Sequence, residues 1–240
     1  MKIQSLFILA LFSLNFIACQ KDEDPQPELK TISEEEAAEI VEGALASQSE
    51  GIATETLDAA YVADEYAEKI VGGSPCGMTY DSTVDRSLNN PYITALYSST
   101  WEWEVFCNNL DIPTTMNYAR TTAGTYATNR LESDDQANST WTVDNLFGGN
   151  PYLINGVYER NGTQQSLIRD QNAFSSNILI EVDDLVIDKD DKHIESGIAS
   201  FTLTGEVEGG ESFSFEGDII FLGDLSANLI INGTVYTIEL

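Results

Sequence analysis

The sequence predicts an α+β protein in which two short N-terminal helices pack on a large, curved antiparallel β-sheet of about eight to ten strands. Three observations lead to this prediction. Apolar residues recur with helical spacing from residue 31 to about residue 71. From residue 76 onward they alternate with polar residues. Hydrophobic residues make up 42% of the 240 residues, enough for a packed core. We expect one globular domain over residues 31–240, helical over 31–73 and antiparallel β over 76–240.

The first helix has a start signal and one apolar stripe. Ser33 and Glu36 have the spacing of a capping box, in which each side chain binds a free backbone N–H of the first turn. The residues that follow with spacings of three and four form the predicted buried stripe: Ala37, Ile40, Val41, Ala44 and Leu45. The helix is therefore predicted to pack on the sheet through this stripe.

A break near residues 48–51 separates the first helix from a second one, predicted over residues 54–71. Gly72-Gly73 is expected to end this helix. Its predicted buried stripe is Leu57, Ala60, Tyr61, Ala67 and Ile70.

The remaining chain alternates with the period of a β-strand. One face of the strand around residues 97–105 carries Trp101 and Trp103, and the other carries Glu102 and Glu104. The alternation is cleanest over residues 199–221, with a turn at Gly209-Gly210, and Asn232-Gly233 predicts a final hairpin. These features predict an antiparallel meander with one buried face.

Residues 1–18 have the layout of a secretory signal peptide: a lysine near the start, then an apolar run, then the small residue Ala18. The apolar run is shorter than the roughly 20 residues that a membrane-spanning helix needs. Cys19 follows directly. We therefore expect export from the cytoplasm.

The segment Phe16-Ile17-Ala18-Cys19 resembles a bacterial lipobox, with Phe16 where leucine is more usual. The run from Gln20 to Asp24 resembles the signal that exports lipoproteins of Bacteroidota to the cell surface. This resemblance implies cleavage before Cys19, lipidation of Cys19 and an anchor in the outer membrane, with residues 19–30 as export signal and tether. It covers residues 16–24 only and implies a location, not an activity. An ordinary signal peptide followed by an acidic linker is the alternative.

The charge and the ligand inventory exclude several classes of function. With 40 acidic against 11 basic residues the net charge is −29, which repels nucleic acid. A single histidine, His193, and three cysteines exclude His-rich and four-cysteine metal sites. We expect no cofactor.

Cys76 and Cys107 remain as a pair once Cys19 is lipidated. In an oxidising compartment an even number of cysteines predicts a disulfide. Two free thiols are the alternative. Neither cysteine has a neighbouring histidine or basic cluster in the sequence that would make it a nucleophile.

Two candidate catalytic arrangements are weak. His193 and Ser196 would point to opposite faces of a strand, and His193 follows a turn-like acidic segment, so we interpret it as an exposed hairpin residue. Glu102 and Glu104 would lie about 7 Å apart on one face. Such a pair can hydrolyse a glycan, but a solvated outer face explains it equally well.

Three further patterns have a structural and a functional interpretation. The stretch 181–195 contains seven acids in fifteen residues, which suits either calcium or a solvated hairpin. The tryptophans 101, 103 and 141 could stack on sugars, but the sequence favours a place in the core. Asp81-Ser82-Thr83 resembles the O-glycosylation acceptor motif of Bacteroidota, which would place a glycan on Ser82.

The layout resembles that of uncharacterised surface lipoproteins of Bacteroidota. We expect a non-enzymatic binding or accessory protein that is anchored in the outer membrane through Cys19, with a glycan, lipid or protein as its ligand. A half-barrel-like carrier of an apolar ligand is the first alternative. A carboxylate-dependent glycan hydrolase is the second.

Overall fold

The computed structural model describes residues 30–67 and 75–240. These residues form the helices α1 (Glu34–Leu45) and α2 (Ile52–Ala67), joined by a short 3-10 helix at Ser47–Ser49. The ten strands that follow are β1 (Thr79–Asn89), β2 (Ile93–Cys107), β3 (Pro113–Thr128), β4 (Leu131–Asp144), β5 (Tyr152–Ser166), β6 (Ala173–Ile187), β7 (Ile194–Val207), β8 (Ser212–Gly223), β9 (Ser226–Ile231) and β10 (Thr234–Glu239). The signal peptide, Cys19, the export signal and Gly72-Gly73 lie outside the described residues.

The first helix forms as predicted. The Ser33 hydroxyl accepts a hydrogen bond from the Glu36 N–H at 3.2 Å, and the Ser33 N–H donates to the Glu36 carboxylate at 3.0 Å. This capping box fixes the start of α1. The buried residues of α1 include all five of the predicted stripe: Ala37, Ile40, Val41, Ala44 and Leu45.

The second helix forms, but only Ala60 of its predicted stripe is buried, and Ile70 lies outside the described residues. Tyr61 is 57% exposed, and Leu57 is only partly buried. The buried residues of α2 are Ile52, Thr54, Glu55, Thr56, Ala59, Ala60, Ala63 and Tyr66. Most of the side chains that α2 turns inward are small or polar, because the strands beneath it carry buried polar residues.

The sheet is an uninterrupted antiparallel meander. Each strand pairs with the next one along the chain, from β1 to β10. The described sheet is curved but does not close into a barrel, because β1 and β10 do not pair. The predicted α+β class, with two helices and a sheet of eight to ten strands, is confirmed.

The two helices cover different parts of the inner face of the sheet. Helix α2 packs on β3, β4 and β5, and the 3-10 helix contacts β2. Helix α1 packs on β9 and β10. Residues 30–67, which we call the helical layer, therefore occupy the concave side. No helix in the described ranges has the length and apolarity needed to cross a membrane.

The predicted disulfide is present. Cys76 bonds to Cys107, with the two Cα atoms 5.6 Å apart. Cys107 is the last residue of β2. Cys76 lies just before β1 and forms an isolated backbone β-bridge with Val105. The bond therefore fixes the start of the β-sheet region to the end of its second strand.

Candidate functional site

The most unusual feature of the interior is a cluster of charged side chains between α2 and the sheet. Five residues form it: Glu50, Glu55, Asp58, Arg86 and Arg120. We call this set the latch cluster. Its three acids come from the helical layer and its two bases from strands β1 and β3. Opposite charges therefore meet across the helix–sheet interface.

Arg120 is the centre of the latch cluster, and its side chain is fully buried. Its two terminal nitrogens donate to Glu50 and to Asp58, each at 2.5 Å. The Ser99 hydroxyl accepts from the same guanidinium at 2.8 Å, and the Thr122 hydroxyl accepts from its Nε at 3.1 Å. Such dense pairing compensates for the cost of removing an arginine from water.

Arg86 binds the same two acids from the neighbouring side. Its guanidinium donates to Asp58 at 2.8 Å and to Glu50 at 3.0 Å, and about a third of its side chain is exposed. Asp58 and Glu50 are thus each shared between two arginines. Arg86 therefore closes the solvent side of the cluster.

Glu55 lies deepest in the latch cluster and has no exposed side-chain surface. One carboxylate oxygen accepts hydrogen bonds from the Ser139 hydroxyl and, at 3.1 Å, from the Trp141 indole N–H. The other oxygen lies 3.8 Å from Arg120 Nε and has no hydrogen-bond partner among the described residues. Burial raises the pKa of Glu55 to about 7, and the Arg120 charge and the two donors offset this only in part.

A third arginine, outside the latch cluster, binds the helical layer to the sheet. Arg160 of β5 donates to the Asp135 carboxylate at 2.7 Å and to the Tyr97 hydroxyl at 2.5 Å. It also donates to the backbone carbonyls of Gly43 at 2.5 Å and Ser49 at 3.2 Å. These carbonyls lie near the end of α1 and in the 3-10 helix, so Arg160 binds the segment between the two helices.

All five arginines of the chain bind the helical layer. Arg130 and Arg169 pair with Glu39 of α1, at 2.9 Å from Arg130 Nε and 3.0 Å from Arg169. The other three arginines, at positions 86, 120 and 160, also bind the helical layer. Every guanidinium of the chain therefore lies at the helix–sheet interface. In a chain with 40 acids and 11 bases, the five arginines are concentrated there.

The predicted carboxylate pair lies on the opposite side of the sheet. Glu102 and Glu104 line an open depression of about 430 Å³ on the outer face, together with Asn117 and Asn155. Glu102 is exposed and Glu104 half-buried. The two acids do share a face, as predicted, but this face is separated by the sheet from the latch cluster.

The acidic hairpin is a solvated turn. His193 is exposed, as expected, in the turn between β6 and β7, and Ser196 is exposed as well. The Asp188 carboxylate accepts the backbone N–H groups of Asp190 and Asp191, and these bonds lower its pKa. In the described part of the chain, no three His, Cys, Asp or Glu side chains are arranged to hold a metal ion. The geometry therefore gives the calcium interpretation no support.

The tryptophans belong to the core side of the sheet, as predicted. Trp141 is 2% exposed, and Trp101 and Trp103 pack partly buried against the core. The Arg120 guanidinium lies 5.1 Å from the centre of the Trp101 ring.

Ser82, the predicted glycosylation site, is half-buried on β1 opposite Trp101. Its modification stays a prediction.

One opening leads from solvent toward the interface of helix and sheet. It has a volume of about 380 Å³ and lies between α1 and the turns at one end of the sheet. We call it the mouth pocket. Glu42, Gly43, Tyr92, Tyr126 and Arg130 are among its lining residues. The sequence interpretation did not identify it, because its walls come from segments far apart in the chain.

No protein-family model matches the chain, and no curated protein or solved structure matches it either. Its function is therefore inferred from its residues and their geometry.

Proposed function

We propose that the protein is a lipid-anchored, surface-exposed binding protein of the outer membrane without a catalytic role. The lipobox-like segment ending in Cys19 and the acidic run from Gln20 to Asp24 support the anchor and the export. The globular part would then face the medium on a tether formed by residues 19–30.

The observation that carries the non-enzymatic assignment is the complete burial of the Glu55 side chain. This carboxylate has a pKa of about 7, a value suited to acid–base catalysis. Its side chain nevertheless has no exposed surface, and Ser139 and Trp141 already bind it. A substrate cannot reach it in this arrangement, so the perturbed pKa is better explained by packing.

The two alternatives receive less support. A carrier needs an internal apolar cavity, but the helical layer fills the concave side with side chains that have no exposed surface, among them Val41, Leu45 and Ala60. A hydrolase of this kind needs one of its two acids in surroundings that keep it protonated. Glu102 and Glu104 instead lie along an open depression on the outer face.

Fractionation of cells tests this proposal. In a Bacteroidota host, the wild-type chain should be found with the outer membrane, and an added protease should digest it on intact cells. Cys19→Ala should release the protein from the membrane fraction. Replacing Lys21, Asp22, Glu23 and Asp24 by alanine should keep the protein in the membrane but protect it from protease.

Two outcomes would contradict the anchor and the export. A Cys19→Ala protein that stays with the membrane would argue against lipidation, and unchanged protease sensitivity of the alanine variant would argue against the export signal.

A separate measurement tests the absence of catalysis. The wild-type protein, solubilised in detergent, should carry a bound ligand, and mass spectrometry should show that this ligand has not been chemically altered. Chemical conversion of added glycans by the purified protein would contradict the non-enzymatic assignment.

A further inference from the structure

The mouth pocket is built by α1 on one side and by strand ends and turns on the other. Glu39, Glu42, Gly43 and Ala46 recur with spacings of three and four, so they line the pocket from one face of the helix end. The opposite side is formed by Tyr92 in the turn before β2, Ile93 at the start of β2 and Leu131 at the start of β4. The pocket of about 380 Å³ is large enough for a small organic molecule.

Tyr126 places an unpartnered hydroxyl in the wall of this pocket. The residue is only 7% exposed, and its hydroxyl makes no hydrogen bond with any described residue. Its ring lies 5.3 Å from the Arg160 guanidinium, on the side of the core. The hydroxyl reaches α1 at Gly43, where an added Cβ would approach it to 2.3 Å. Glycine at position 43 therefore leaves room for a polar group that has no internal partner.

Glu42 places an unpaired carboxylate in the same pocket. It is half-buried, and its side chain makes no hydrogen bond or salt bridge with the described residues. Burial raises its pKa, the charges of Glu39 and Glu239 raise it further, and Arg130 lowers it. Arg130 and Arg169 are bound to Glu39, so no base is committed to Glu42. A partly desolvated, unpaired carboxylate is costly to keep in a folded protein.

We propose that the mouth pocket binds a small organic cation, whose primary ammonium group lies between the Glu42 carboxylate and the Tyr126 hydroxyl. An ammonium has three donors and no acceptor, which matches two unpartnered acceptors beside Glu239. The apolar body of the ligand would lie against Tyr92, Ile93 and Leu131. This inference deepens the proposed function by giving it a site and a ligand class, and it rests on that function in requiring binding without conversion.

Other ligand classes fit this pocket less well. A metal ion needs several converging ligands, and the described residues offer no group of three that could hold one. An anion would meet Glu42, Glu39 and Glu239, with Arg130 as the one base among the described lining residues. A neutral molecule would leave the carboxylate of Glu42 without a counter-charge.

Calorimetric titration of the full chain in detergent tests the proposal. The probe is 2-phenylethylammonium at pH 8, compared with 2-phenylethanol and 3-phenylpropionate, which have the same ring but no positive charge. We expect saturable binding of the ammonium at one site and at least tenfold weaker binding of the other two. Glu42→Gln should weaken binding of the ammonium at least tenfold, and Tyr126→Phe about threefold to tenfold.

Matched variants separate the site from the overall charge. Glu216→Gln removes one carboxylate from the exposed outer face of β8 and should leave the affinity unchanged. Glu42→Asp keeps the charge and should retain more affinity than Glu42→Gln.

Three results would overturn the proposal. These are equal binding of the alcohol, unchanged affinity in Glu42→Gln, and an equal loss in Glu216→Gln, which would indicate non-specific attraction. The titration is independent of cell fractionation, so a failure here leaves the evidence for anchoring intact and the reverse also holds. A Glu42→Gln protein with the wild-type unfolding midpoint shows that a lost affinity is not a folding defect.

Discussion

The inner face of the sheet has two halves that hold their helices by different means. The half formed by β1–β5 carries buried polar and charged side chains, and it faces α2. These residues are Ser99, Arg120, Thr122, Ser133, Asp135, Ser139, Arg160, Gln164 and Ser166. The half formed by β6–β10 is almost wholly apolar, with Ser176 as its one buried polar strand residue in the described sheet, and it includes the strands that face α1.

This difference has physical consequences for the two interfaces. Apolar packing is nondirectional and depends mainly on buried area. Buried ion pairs depend on each partner, because the loss of one leaves an uncompensated charge. The α1 side should therefore tolerate conservative substitutions, whereas the α2 side should fail when a single charge is removed. The charged side also contains Glu55, a fully buried carboxyl whose pKa is raised to about 7.

The largest effect is expected from Arg120→Met, which keeps the length of the side chain but removes its charge. Glu55 would lose the fully buried base beside it, and Glu50 and Asp58 would retain only Arg86. We expect the free energy of unfolding to fall by about 3–5 kcal/mol. Equilibrium unfolding in urea at pH 7 measures this loss.

Arg130→Met is the matched control for that variant. Arg130 also pairs with an acid of the helical layer, but half of its side chain is exposed, so its loss should cost less than about 1 kcal/mol. Equal losses in the two variants would contradict the difference between the buried and exposed arginines.

The sequence predicted the apolar half more fully than the polar half. Strict alternation over residues 199–221 predicted the inward faces of β7 and β8, because apolar and polar residues contrast at every step. On β3 and β5 both faces carry polar residues, so hydropathy alternation gives no signal. A usable signal was present: Arg120 and Arg160 each follow an inward-facing tyrosine by two residues, which places them on the same strand face.

The partners of these arginines were harder to predict. Glu55 lies three residues after Ile52 and four before Ala59, within the true buried stripe of α2. The burial of an acid in such a stripe can be predicted only if a buried base is expected opposite it. The mouth pocket depends on the approach of α1 to Tyr126, which is a tertiary contact that local sequence does not encode.

The second prediction concerns the pH dependence that Glu55 gives to the α2 side. Its pKa is raised from 4.5 to about 7 in the folded protein, so between these values the folded state holds a proton that the unfolded state has released. This contribution to stability is fully present below pH 4.5 and is lost as the pH rises through 7. Between pH 5 and pH 8 the loss should be about 2–3 kcal/mol.

Comparison with Glu55→Gln isolates this contribution from the other titrating groups. The free energy of unfolding should fall between pH 5 and pH 8 by about 2–3 kcal/mol more in the wild-type protein than in Glu55→Gln. Glu216→Gln, on the exposed outer face, should keep the wild-type pH dependence. If Glu55→Gln kept it too, Glu55 would not be the titrating group.

Apart from the control variants, the smallest effect is expected on the apolar half, from Ile180→Val on β6. Ile180 is fully buried and lies opposite Tyr158 on β5 and Phe201 on β7. Removing one methylene should cost about 0.5–1.5 kcal/mol. Burial raises the pKa of Tyr158, so both neighbours stay uncharged between pH 5 and pH 8. The cost of Ile180→Val in urea unfolding should therefore be the same at both pH values. A cost that changed with pH would show that the charged half influences the packing of the apolar half, and that the two halves are not energetically separate.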